Sequence, residues 1–517
     1  MPNRSTDVLF QLIKSLEKGE KRSFKLYVQR NSGNEELKVV QLFDALDKMD
    51  NYDEELLFKR NSEIKKQQLS NIKAHLYKLI LTSLRIIEEK NNIDIYLHEQ
   101  LDFARILYNK GLYHQSLKVL DKLKETAKQH HQITLQLQAV FFEKKIEALH
   151  ITRSISNRAE QLSKESDAIA QHLLLVNQLS NLSLSLYSWY INNGHARNQL
   201  DVNAIKEFFE KNLPIIQNDE LTFYEKLYLY QSYCWYGFIL QDLLTYYRYT
   251  QKWVSLFDEY SAMKTIEAGQ YIRGLHNLLS ANFNLNNFDK FNEVLEMFET
   301  FIQSDAGAVN NNVKIQSFVY VTIAKINKHF LEGTFTEGLV LVPYIEQMLK
   351  EYYLQLDRHR VLVFYYKIAC LYFGSGNNEK AIDYLNNIIH LKVDLRSDLQ
   401  CYARLLHLIA HFELGNDELL KYLMKSVYRF MGKLNNLSTS EEEMFKFIKK
   451  SFSLSPQQLI PAFVVLKEKL ENLEGNPLES RSFMYLDIIA WLESKIKKVP
   501  VQAIRRERFL MSNRRKK

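Results

Sequence analysis

At 517 residues with only 15 Gly and 7 Pro, the chain is poor in backbone breakers, and none of it alternates like a strand, which excludes a sheet-built domain. The formal net charge is +7, but ten Lys and Arg against one Glu fall between Lys495 and Lys517. The body before them is therefore near neutral, and any attraction for a polyanion is expected to be local.

The N-terminal 95 residues read as a bundle of amphipathic helices. Val8, Leu9, Leu12, Ile13 and Leu16 mark a first helix closed by Lys18-Gly19. A second, over about 20–30, carries Phe24, Leu26, Tyr27 and Val28, and Asn31-Ser32-Gly33-Asn34 is a turn. Leu37, Val40, Leu42, Phe43 and Leu46 give a third helix, and Asp53 is a cap for a fourth with Glu54 and Glu55 in its first turn. The last, over about 68–90, sets Leu69, Ile72, Leu76, Leu79, Ile80 and Leu84 opposite a stripe of Asn71, His75, Lys78, Thr82 and Arg85. The apolar stretch of the first helix is too interrupted for a signal peptide.

Helix pairs recur over 96–430. In 361–391, Tyr365, Ile368, Ala369 and Tyr372 share a helical face, Gly374, Gly376 and Asn377 interrupt it, and Ala381, Leu385 and Ile388 form a second face. Residues 97–123 match that unit almost position for position around Gly111. Weaker copies turn near Ser154, Gly194, Asp242, Asn286, Gly333 and Gly415. This order of aromatic, small and glycine positions resembles a tetratricopeptide repeat, in which each helix hairpin must stack on its neighbours to bury its open face. The resemblance implies a right-handed superhelical solenoid of antiparallel hairpins beginning after the helical domain of residues 1–95. Residues 431–498 then read as capping helices, with starts at Leu437-Ser438-Thr439-Ser440-Glu441 and Ser455-Pro456, a turn at Gly475-Asn476-Pro477 and a last helix over 480–498. Residues 499–517 read as a basic tail, mobile or ordered by a partner.

The most apolar run, 361–373, is too short to span a membrane and contains Lys367. Cys234, Cys370 and Cys401 are odd in number, widely spaced and set among apolar residues, which suits reduced thiols in the cytoplasm. No GxGxxG, GxxxxGK[ST] or GxSxG occurs, so no enzyme, cofactor or metal site is expected. His407 and His411 have ligand spacing on a helix but lack the adjacent acid of a zinc protease, and are expected as packing residues; His130-His131 sit at a helix–helix junction with no Cys or acid at ligand spacing.

A richer signal is the aromatic run of 223–260, more rings than one buried stripe needs. In tetratricopeptide proteins the first helix of each hairpin lines a concave groove for peptides. Carried onto this chain, the resemblance implies groove positions at His98, Leu101, Arg105, Tyr108, Asn109, Tyr320, Asn327, Tyr366, Lys367, Cys370, Phe373, Tyr402 and Phe412. The leading expectation is thus a non-enzymatic scaffold that binds a peptide or protein partner. The alternative is a nucleic-acid-binding regulator. Its helix-turn-helix would use Lys73, His75, Lys78 and Arg85, with Arg505, Arg506 and Arg508 of the tail able to touch phosphates. That layout resembles, in outline, bacterial peptide-sensing regulators.

Overall fold

The computed structural model describes residues 7–30, 34–60, 66–89, 91–149, 157–216, 220–391, 397–433, 439–474 and 487–514. Every regular element among them is helical. The chain divides into two compact units, residues 1–170 and 171–517.

In the first unit, α1 (Val8–Ser15), α2 (Lys18–Arg30), α3 (Asn34–Asp47), α4 (Glu54–Arg60) and α5 (Lys66–Glu88) bury one cluster. Ile13, Leu42, Phe43, Leu46, Leu76 and Ile80 lie at its centre, the positions that the 3.6-residue period assigns to inner faces. Lys18-Gly19 does not close the first helix as expected. Helix α1 stops at Ser15, and Lys18 and Gly19 already belong to α2, where Glu20 places an acid in the first turn. Asp53 caps as expected, its carboxylate accepting from Leu56 N at 3.1 Å. Helices α6 (Ile93–Asn109), α7 (Tyr113–Gln129) and α8 (Ile133–Leu149) then pack in order, and α9 (Arg158–Asn193) crosses from this unit into the next.

The second unit continues the series. It comprises α10 (Gln199–Asn212), α11 (Phe223–Leu240), α12 (Leu243–Glu259), α13 (Met263–Ile266), α14 (Ala268–Asn284), α15 (Phe288–Ile302), α16 (Asn311–Glu332), α17 (Phe335–Gly338), α18 (Val342–Glu351), α19 (Arg358–Gly374), α20 (Asn378–Ile389), α21 (Ser397–Glu413) and α22 (Asp417–Lys433). After these come α23 (Thr439–Ser451), α24 (Pro456–Glu474), α25 (Ile488–Lys497) and α26 (Val501–Arg514). Packing runs mainly between sequence neighbours: α11 on α12, α12 on α14, α14 on α15 and α16, α19 on α20, and α20 on α21. The expected turns lie where the series turns. Gly111, Gly194, Gly333, Gly376 and Gly415 have positive φ, as does Asn286, and Asp242 caps α12 through Thr245 N. The expected turns at Ser154, Asn31-Ser32-Gly33 and Gly475-Asn476-Pro477, and the start at Leu437-Ser438, lie outside the described residues.

Gly374 serves a purpose other than the expected break. It is the last residue of α19, and a Cβ there would meet the Phe335 ring at 2.3 Å. The turn is made by Gly376 and by Asn377, whose side chain accepts from Lys380 N.

The described part of the basic segment is also not a free arm. Helix α26 packs on α16 and α25. Gln502 accepts from the backbone and hydroxyl of Thr336 at 2.8 and 2.9 Å, and Phe509 meets Phe288 edge-on. Arg505 and Arg506 donate to the carbonyls of Phe330 and Glu332, in the open last turn of α16. No helix among the described residues is long and apolar enough to cross a membrane.

Candidate functional site

Within the second unit, three helices turn like-spaced stripes toward one cavity of about 310 Å³. Helix α14 presents Arg273, His276, Asn277, Ser280 and Asn284; α16 presents Tyr320, Ile323, Asn327 and Phe330; α19 presents Arg360, Val363, Tyr366, Lys367 and Cys370. Steps of three, four and seven residues keep each set on one helical face. Tyr187 and Tyr190 of α9, with Trp235 and Phe238 of α11, close an aromatic side.

The opposite faces of these helices anchor them. Ile272, Leu275 and Leu279 of α14 are buried in a cluster with Phe257, Trp253 and Phe298. Gly274 lets α12 come close, since a Cβ there would lie 3.1 Å from the Trp253 indole. The aromatic run of 223–260 is thereby divided. Phe223, Trp253 and Phe257 fill the core, while Trp235, Phe238 and Tyr246 also border the cavity.

The charge in this cavity is one-sided. No Asp or Glu is among its lining residues, whereas Arg273, Arg360 and Lys367 are. The Arg273 guanidinium lies 4.7 Å from the ring centre of Tyr187 and 5.4 Å from that of Trp235, a cation–π arrangement. Lys367 donates to Asn327 Oδ1 at 2.6 Å and stands 5.4 Å from the centre of the Phe330 ring. Neither cation has a carboxylate within ion-pair distance among the described residues. Arg360 does, at 3.3 Å from the half-exposed Asp357.

Burial lowers the Lys367 ammonium to about 8. His276 lies flat on Tyr320, and burial, reinforced by the charges of Lys367, Arg273 and Arg360, lowers it to about 3. It is neutral at physiological pH. Burial pushes the Cys370 thiol up to about 12, which removes it as a thiolate nucleophile.

Of the residues expected at a groove, Tyr320, Asn327, Tyr366, Lys367 and Cys370 are thus brought together. Others fall elsewhere. Arg105 and Asn109 are exposed in the first unit, with Arg105 paired to Asp102, while Tyr108 packs against Tyr113 and Phe142. His98 is exposed and Leu101 is core. Phe373 and Tyr402 are buried in the cluster that α23, α24 and α25 complete, and Phe412 packs against Phe447, Phe463 and Trp491. Where a ligand would meet Phe412, the chain supplies its own side chains, and Phe373 and Tyr402 are buried.

The repeat register does not single out the stripe on α14, because its repeat is degenerate; the only signal is five polar residues at helical spacing opposite an apolar face.

The residues of the nucleic-acid alternative are largely engaged within the fold. Lys73 pairs with Asp7 at 2.8 Å and donates to the Tyr52 hydroxyl. Arg85 is 3.7 Å from Glu99, while His75 and Lys78 remain exposed. Arg505 pairs with Asp487 and Arg508 with Glu493, and Arg506 caps α16.

His407 and His411 are buried edge to face. The nearby Glu413 serves Trp491 and Lys495 instead of the histidines. No group of three His, Cys, Asp or Glu side chains among the described residues is arranged to hold a metal ion.

No protein-family model matches this chain, and no curated protein matches it.

Proposed function

We propose that this chain is a non-enzymatic binding scaffold, a tetratricopeptide-like solenoid of right-handed sense, that holds a peptide or protein partner at the cavity of its second unit. The observation that carries this reading is the set of three matched stripes, from α14, α16 and α19, meeting at one cavity with aromatic sides. Rings fixed by their own packing lose little entropy when a partner group is inserted between them. The volume suits one or two anchor side chains of a partner, the rest of which would lie across the exposed rim.

Support for binding over catalysis comes from the lining. General acid–base work needs a group that titrates near the operating pH and faces the reacting atoms. Here there is no carboxylate, His276 is held neutral, and the Cys370 thiol is held protonated; Lys367, lowered to about 8, does titrate near the operating pH, but its ammonium is engaged by Asn327 Oδ1. Among the residues named for nucleic-acid binding, the engagement of Lys73, Arg505, Arg506 and Arg508 within the fold favours the scaffold reading.

A photo-crosslinking residue at Tyr320, compared with one at the core position Tyr402, tests the proposal in lysate of the source organism. The expected result is one discrete protein crosslinked from position 320 and none from 402. Equal or absent labelling at the two positions would remove the reading.

A further inference from the structure

Charge balance in the cavity points to a specific ligand chemistry, and the argument rests on the proposal that this cavity is where the partner is held. Arg273 and Lys367 are half-buried in the cavity lining, with no carboxylate within ion-pair distance among the described residues. An uncompensated buried charge is costly, and a protein built only for stability replaces it with an apolar residue or supplies an acid. Neither has happened here. The two cations are held instead by the faces of Tyr187 and Trp235 and by Asn327.

Arg360 adds a third positive group beside Tyr320, its guanidinium 5.9 Å from that ring centre. Its Asp357 partner sits at the N-cap of α19, and the contact runs through Nε, which leaves the terminal guanidinium nitrogens available. All three side chains line the same cavity as His276. Three positive charges therefore meet in a space whose lining contains no acid.

A single carboxylate would neutralise one of those charges. A phosphate monoester carries close to two negative charges at neutral pH and three acceptor oxygens, and Arg and Lys are its usual partners. The remaining walls combine the flat faces of Trp235, Phe283, Tyr320 and Phe330 with the polar side chains of Asn277, Ser280 and Asn284. At about 310 Å³ the space is at the small end of ligand sites, which run from roughly 300 Å³ upward. That size suits one ring bearing one phosphoryl group.

We infer that the cavity between α14, α16 and α19 is a phosphoryl-group site. Arg273, Lys367 and Arg360 bind the dianion of an aryl phosphate monoester, and the surrounding rings take its aromatic part. The same chemistry can arrive on a phosphorylated tyrosine of a partner or as a free aryl phosphate.

The test is calorimetric titration of the full chain at low salt and pH 7 with phenyl phosphate, a phosphotyrosine peptide, inorganic phosphate and benzoate. Phenyl phosphate is expected to bind at least tenfold more tightly than benzoate. Lys367→Met and Arg273→Ala should each weaken it tenfold or more, with Arg273→Lys as the substitute if the alanine variant does not fold. Tighter binding of the peptide than of phenyl phosphate would assign the group to a partner chain; the reverse would assign it to a free ester. No binding of phenyl phosphate at millimolar concentration, equal affinity for benzoate, or unchanged affinity in both variants would overturn the inference.

The two proposals fail separately. A protein crosslinked at position 320 that phenyl phosphate does not displace leaves the scaffold and removes the phosphoryl site. Phenyl phosphate bound with no protein crosslinked does the opposite.

Discussion

His276 and Tyr320 stack with ring centroids 4.2 Å apart and planes 14° from parallel, joining α14 to α16 in the lining of a cavity that three cations share. The imidazole is therefore held neutral, first by burial and then by Lys367, Arg273 and Arg360, with its protonation lowered to about 3. In an unfolded chain it would titrate near its ordinary value of about 6.5. Between those values the unfolded state binds the extra proton, so stability is lost as the pH falls. His407, lowered to about 4 by burial with His411, His390 and Arg404 nearby, acts in the same direction. The thermal midpoint of the second unit is expected to drop from pH 6.5 toward pH 4. His276→Phe, which keeps a ring on Tyr320, should flatten part of that slope and leave the His407 share.

Lys367 is expected to oppose function to stability. Its ammonium titrates near 8 in the folded chain and near 10.4 when exposed, so the free protein gains stability as pH rises through that window. Lys367→Met removes a buried cation that has no acid partner and should raise the melting temperature by about 1–3 °C while weakening anion binding. Differential scanning fluorimetry beside the calorimetric titration checks both halves. A fall in melting temperature together with unchanged binding would contradict this account.

Close approach at Gly374 sets a packing prediction. The Phe335 ring occupies the place a Cβ would take, so Gly374→Ala must displace it from the cluster it shares with Ile368 and Leu371. A destabilisation of about 1–3 kcal/mol is expected in urea unfolding. The same substitution at Gly19, where nothing lies within 4 Å of the added methyl, should not destabilise the chain.

Helix α26 closes the second unit through Gly333. That residue has φ +67°, and an added Cβ would lie 2.4 Å from Arg506 N, so both its own conformation and the approach of α26 require glycine. Gly333→Ala is expected to cost roughly 2 kcal/mol or more. Deleting residues 501–517 should also lower the melting temperature, because the last carbonyls of α16 lose Arg505 and Arg506. An unchanged melting temperature after the deletion would show that α26 contributes nothing to the fold.

The helices and their turns were legible because turn chemistry is local. A glycine or asparagine at positive φ declares itself within a few residues, as at Gly111, Asn286 and Gly376. Part of the candidate site was legible for a related reason: the repeat register assigns Tyr320, Asn327, Tyr366, Lys367 and Cys370 to inner faces, and all five line the cavity. That register could not show that α23, α24 and α25 cover Phe412, since covering is a contact between elements far apart in sequence. Nor could composition show that the basic segment spends Arg505, Arg506 and Arg508 on its own fold. Arg273 and His276 needed a polar stripe to be read as lining a cavity, and a solvated helix face shows the same stripe.

The most direct measurement is co-purification of the crosslinked partner with the intact chain and with a folded Arg273→Lys, Lys367→Met double variant, at matched expression. Loss of that partner from a variant that still melts cooperatively is the predicted result. Full retention of the partner by the variant would contradict the claim that these cations hold it at the cavity.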